Sequence, residues 1–331
     1  MAQEGAAPLA GATHWSAGYL HAGSPTSASY APLPYLSYNA SDGAMNITKP
    51  AGTTGRYVVT FRGLSALLGS HSTVHLTEYG IEDAYCKPVN GRLVNDKLQV
   101  RCFKASTRAP ANAAFTVLVS GAQEQRAFAY AHQPAGTNYT AAAAGSYNPN
   151  GAIKVLREGA GAYRVVFTKL GSAVSTNNGN VQVNAVGTGK AHCTAIEWGA
   201  QTDVSVYVRC YTPAGAPVDS KFTVLFLLPH PHVAYTYANQ PSAASYSPNP
   251  SASWSPSGGG VTITRNGVGD YTVVWPWIGP DIVDGGTVQV TGYGENTQCK
   301  ATSLFDTGAI VRCFAPNGSR VDARYTVLLG S

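Results

Sequence analysis

Apolar and polar positions alternate along short stretches of this chain, and the same stretches return three times. The clearest period-two runs are Tyr57, Val59, Phe61; Tyr163, Val165, Phe167; and Tyr271, Val273, Trp275. Side chains alternate across a strand, so each run predicts a β-strand with one buried face. A short alternating strand ending in Lys49, Arg157 or Arg265 precedes each run, and glycine-bearing turns such as Glu158-Gly159-Ala160-Gly161 and Asn266-Gly267-Val268-Gly269 complete a hairpin signal. Further strands are expected over 73–79, 180–186 and 287–293, followed by Gly80, Gly187 and Gly294. The last strand of each copy reads Phe115-Thr116-Val117-Leu118, Phe222-Thr223-Val224-Leu225 or Tyr325-Thr326-Val327-Leu328.

Each copy also carries one cysteine pair. Cys86 and Cys102 are 16 positions apart, Cys193 and Cys210 are 17 apart, and Cys299 and Cys313 are 14 apart. The second cysteine always belongs to a Val-Arg-Cys-aromatic string. A period of about 105 residues is too long for a solenoid unit and normal for a self-sufficient domain. The predicted fold is therefore all-β: three tandem antiparallel β-sandwich domains, immunoglobulin-like or of a related Greek-key type, with one intradomain disulfide each. The expected boundaries are an N-terminal extension over 1–14 and repeats over 15–122, 127–229 and 233–331. Gln123 to Arg126 and Leu228 to His232 read as short linkers, the second stiffened by proline. They fit a semi-rigid rod or a compact three-lobed body.

Evenly placed cysteine pairs point to disulfides on neighbouring strands, and disulfides point to export. Each would close a loop of about 15 residues and contribute roughly 3 kcal/mol on the chain-entropy model. The start, Met1 to Gly5, has neither a basic segment nor an apolar run, so Met1 reads as an added start before a mature secreted sequence.

Composition agrees with short strands and tight turns. Gly (36) and Pro (20) are frequent and only 12% of residues are charged, so almost no helix is expected. The net charge is 22 − 17 = +5 with no Lys/Arg run, which argues against a nucleic-acid partner. No stretch of 18 apolar residues suggests a membrane span.

Candidate chemistry is sparse. Leu304-Phe305-Asp306-Thr307-Gly308-Ala309 matches the aspartic-protease string, but only one copy occurs where two carboxylates are needed, so a hairpin turn is expected there. His71 and His75, and His230 and His232, lack the additional ligand that zinc requires; position 75, aligned with Gln182 and Gln289, reads as an exposed polar strand site. Arg101, Arg209 and Arg312 recur beside the cysteines, and two readings stand: pairing with acids such as Asp219 and Asp322, or a threefold site for an anion. Trp254 and Trp275 align with aromatics in the other copies and read as core. Trp277 and Trp198 do not, and are the candidate ligand-binding residues, since exposed rings stack on sugars or anchor interfaces. Asn39, Asn46, Asn138 and Asn317 begin Asn-x-Ser/Thr strings, which matter only in a host that glycosylates.

The aromatic-Ala-x-x-Pro-x4-Tyr opening (Pro25 and Tyr30, Pro134 and Tyr139, Pro241 and Tyr246), the Gly-x-Tyr-x-Val strand and the Val-Arg-Cys-aromatic ending together resemble the tandem repeat domains of uncharacterised secreted bacterial β-sandwich proteins. The resemblance covers nearly the whole chain beyond about residue 15. It implies export and carries no catalytic motif. The expected function is thus a secreted, extracellular, non-catalytic binding protein, with no metal and no cofactor, that uses repetition for avidity toward a carbohydrate or cell-surface polymer. The alternative is a structural protein that self-associates into an extracellular filament, sheath or surface layer.

Overall fold

The computed structural model describes residues 16–122, 125–174, 179–276, 278 and 286–330. The first repeat contributes β1 (Gly18–Ala22), β2 (Ser29–Tyr30), β3 (Ser37–Asn39), β4 (Met45–Thr48), β5 (Arg56–Phe61), β6 (Ser72–Tyr79), β7 (Ala84–Pro88), β8 (Lys97–Lys104) and β9 (Ala114–Gly121). The second contributes β10 (Arg126–Ala131), β11 (Asn138–Thr140), β12 (Ile153–Gly159), β13 (Ala162–Phe167), β14 (Asn180–Val186), β15 (His192–Ala200), β16 (Val204–Tyr211) and β17 (Lys221–Leu227). The third contributes β18 (Val233–Ala238), β19 (Ser245–Tyr246), β20 (Ser253–Trp254), β21 (Thr262–Gly267), β22 (Asp270–Val274), β23 (Thr287–Tyr293), β24 (Gln298–Phe305), β25 (Gly308–Phe314) and β26 (Arg324–Gly330). Among the described residues the only α-helix is the five-residue α1 (Leu64–Leu68).

Within the first repeat, β3, β1, β9 and β6 lie side by side, and β2, β4, β5, β8 and β7 form a second sheet. Leu20, Leu76 and Val117 from one sheet share an apolar cluster with Ile47, Val59, Phe61 and Leu98 from the other. The later repeats build equivalent clusters, and Tyr293 of the third reaches into that of the second. The predicted alternation holds on β5, β13 and β22, where Tyr57, Val59, Tyr163, Val165, Tyr271 and Val273 are buried. The three cysteine pairs are disulfide-bonded across adjacent strands, each half facing the other in register.

The residues that recur in the sequence meet at one hydrogen-bonded corner in every repeat. The hydroxyls of Tyr57, Tyr163 and Tyr271 donate to the carbonyls of Pro25, Pro134 and Pro241 at 3.0, 2.9 and 3.0 Å. They accept from the amides of Ala113, Ser220 and Ala323. Gly55, Gly161 and Gly269 have φ of 62°, 66° and 61°, and each donates its N–H to Asn112, Asp219 or Asp322. An added Cβ would collide with the Cys102, Cys210 or Cys313 carbonyl, so glycine is required there twice over. Arg157 and Arg265 clamp the two aspartates with paired hydrogen bonds. The acids therefore pair with Arg157 on β12 and Arg265 on β21, not with Arg209 and Arg312 as one of the two sequence readings has it.

The repeats close on one another in a cycle. Gly80 N–H donates to Ala301 O of the third repeat, Gly294 N–H to Ala195 O of the second, and Gly187 N–H to Pro88 O of the first, at 3.0, 2.8 and 3.0 Å. Two of these junctions extend into parallel strand pairing, β6 with β24 and β15 with β23, which merges sheets of different repeats into nine-stranded ones. Each repeat therefore contacts both of the others. Arg126, expected in a linker, is instead the first residue of β10, paired with Leu227 and 1% exposed. The 1–14 extension and Gln123 lie outside the described residues.

Replacing Tyr163 with Phe leaves the Ser220 amide without its buried acceptor. The expected loss is about 1–3 kcal/mol in urea unfolding; an unchanged midpoint would show that the corner is dispensable.

The axial junction as candidate functional site

The strands β6, β14 and β23 converge on the pseudo-threefold axis that the cyclic contacts define, and nearly all their residues are buried. Leu118, Leu225 and Leu328 come together there with Phe128 and Tyr235 in a cluster drawn from all three repeats. A sheet buried on both faces must hide polar side chains as well, and each needs a partner. Thr77 Oγ1 donates to Gln289 Oε1 and accepts from Val290 N–H, while Thr116 Oγ1 donates to Val288 O. The next junction repeats the set: Thr291 Oγ1 donates to Gln182 Oε1 and accepts from Val183 N–H, and Thr326 Oγ1 donates to Val181 O. At the remaining junction Asn184 holds both Leu76 N–H and Leu76 O, and the glutamine position is His75.

His75 is 1% exposed, which corrects the expectation of an exposed strand site. Alternation places position 75 on the polar face of β6, but a neighbouring repeat covers that face. Its Nε2 lies 3.4 Å from Thr73 Oγ1 and its Nδ1 has no hydrogen-bond partner. Burial depresses its pKa from 6.5 to about 3.

At one end of the axis the wall becomes charged. Lys300 Nζ lies 2.6 Å from Glu78 Oε2, across the first and third repeats, with side chains 4% and 3% exposed. Burial pushes the Glu78 carboxyl up to about 8 against the opposing pull of Lys300, and pushes the Lys300 amine down. Lys87, at the position equivalent to Lys300, donates to Ala191 O at 2.9 Å and is lowered to about 8 by desolvation. His192 Nε2 donates to Asn296 Oδ1 at 2.7 Å, and burial lowers this ring to about 4. Glu78, Tyr85, Lys87, His192, Gln298 and Lys300 border one small solvent-connected cavity of about 70 Å³, also walled by Cys86, Cys193 and Cys299. Chemically the site brings one buried acid against one buried amine.

The residues singled out from the sequence fall elsewhere. Trp198 is half-buried, packed edge-on against Tyr237 and Tyr293 of the third repeat at 5.3 and 5.4 Å, and so sits in a junction. Trp277 lies outside the described residues. Trp275 is fully buried, and Trp254 is half-buried with its indole N–H on His230 O. Arg312 pairs with Asp270 at 2.6 Å, Arg101 faces Arg56 across β8 and β5, and Arg209 is exposed, so the three arginines share no common setting. His230 and His232 precede β18 in a turn rather than alternating on a strand, and no group of three metal-ligating side chains occurs among the described residues. Asp306 and Thr307 form the turn between β24 and β25.

Glu78, Lys87 and Lys300 escape a search for recurring acids and bases because they do not recur. Their signal is the departure itself: Glu78 aligns with Ala185 and Gly292, and Lys300 and Lys87 with Thr194. Comparison of the chain with family models, characterised proteins and solved structures returns no match.

His75→Gln should let the first repeat reach Thr223 as the other two glutamines reach Thr116 and Thr326. The expected gain is about 1 kcal/mol in urea unfolding; a loss of stability would contradict the proposed equivalence. The pH dependence has a definite sign. His75 and His192 bind protons more weakly folded than unfolded, and their two contributions, which fall as pH drops from about 6.5 toward 4, outweigh the single opposite contribution of Glu78, which binds its proton more tightly folded. Urea midpoints across that window should fall less steeply for His75→Gln than for the wild type.

Proposed function

We propose that this is a secreted, non-catalytic binding protein of three Greek-key sandwich domains, which present equivalent loops in a fixed triad to a carbohydrate or cell-surface polymer. Repetition in a rigid frame raises avidity without requiring a strong single site. The observation that carries the choice is the treatment of sheet edges. Of the strands that end a sheet, β2, β3, β11, β19 and β20 are two or three residues long, and the longer β7, β10 and β14 are almost wholly buried. Short or covered edges offer a poor template for adding another chain, which favours a discrete molecule over a filament or surface layer. Three disulfides are compatible with an extracellular location. Trp277 remains the nominated contact residue.

Light scattering on a size-exclusion column should return the mass of one chain at all concentrations, and polymers would favour the structural reading. A glycan array without hits would remove carbohydrate as the ligand class. Trp277→Ala should weaken whatever binding is found; unaltered binding would remove that residue from the site.

A further inference from the structure

Glu78 and Lys300 meet where β6 of the first repeat runs parallel to β24 of the third. Their carboxylate oxygen and amine nitrogen are 2.6 Å apart, yet neither atom makes a hydrogen bond of good alignment. Phe314 lies beneath the nitrogen at 5.0 Å, and the Cys86 and Cys299 bridges border the same space. Neither equivalent junction holds such a pair, since Lys87 occurs where the second repeat supplies Ala185 and Thr194 where the third supplies Gly292.

Two charges held almost entirely out of bulk water are expensive, and a proton passed from ammonium to carboxylate leaves a neutral amine against a neutral acid. The charges of Glu82 and Asp83 raise the affinity of Glu78 and of Lys300 for a proton alike, so they favour neither direction of that transfer. An amine held against a carboxyl group needs no diffusional encounter, and fixed geometry of this kind can replace a very high concentration of reactant.

We propose that Lys300 and Glu78 condense into an isopeptide bond that fastens the first repeat to the third. The Lys300 nitrogen lone pair attacks Cδ of Glu78, the C–N bond forms and one C–O bond breaks. The hydroxyl leaves as water, taking up a proton from the nitrogen. No oxidant, reductant or co-reactant is required. The product is a neutral secondary amide in place of two buried charges, and the adjoining space gives the released water an exit. The bond links the ends of a segment of more than two hundred residues, so the denatured, reduced chain stays branched.

The test is mass spectrometry of the full-length wild-type chain after reduction and denaturation, followed by its proteolytic peptides. The expected mass is that of the reduced chain less one water, with a branched peptide pair joining the Glu78 and Lys300 segments. Lys300→Arg keeps the positive charge but removes the nucleophilic amine, so the missing mass should return and the branched pair vanish. Because the readout is taken on unfolded protein, a poorly folding variant still reports. Linear wild-type peptides containing unmodified Glu78 and unmodified Lys300, with no branched pair, would overturn the proposal.

Discussion

An unpaired sheet edge in water is a liability, and an unpaired edge buried in protein is a larger one. The arrangement of this molecule follows from how that constraint is met. Each repeat brings the end of one long strand, β6, β14 or β23, to a neighbour, and a glycine amide just beyond it finds a backbone carbonyl there. Three such contacts close a cycle, so no repeat is terminal and the long edges turn inward. What faces outward is short. The same closure buries the second face of β6, β9 and their counterparts, which is why those strands carry threonine and glutamine on the side where an isolated sheet would face water.

Two kinds of polar network result, and they are built differently. Inside each repeat the tyrosine corner ties the proline opening, the left-handed glycine and the start of the last strand through one hydroxyl, and it is nearly identical in three copies. Around the axis the network runs between repeats and tolerates divergence. His75 replaces glutamine, Asn184 replaces threonine, and the Glu78 and Lys300 pair appears in one junction of three. Divergence is possible there because each junction is satisfied by its own pair of partners. A change in one need not be copied in the others, whereas the corner has a single geometry that any repeat must reproduce to fold.

Much of the local structure is legible in the residues. The period-two runs, the positive-φ glycines and the cysteine spacing place the hairpins, the buried faces and the three bridges where the structure has them. The partner of Asp219 and Asp322 is less legible. Arg157 and Arg209 are both recurring basic positions, and only strand order brings the former to the acid. Position 75 is the instructive case. Alternation shows which face of β6 it occupies, but whether that face meets water depends on a second repeat more than a hundred residues away. Trp198 has the same ambiguity, since the rings that cover it come from another repeat.

By itself the sequence determined an all-β chain written in three cross-linked copies, because strand periodicity, turn chemistry and cysteine register act over short separations and each copy repeats the test. The tertiary structure alone decided that the copies close on one another in a cycle, that their polar strand faces are interior, and that one acid and one amine from the first and third repeats share a buried junction. Those outcomes depend on which edges and faces cover one another, a matter of long-range packing to which local patterns are blind.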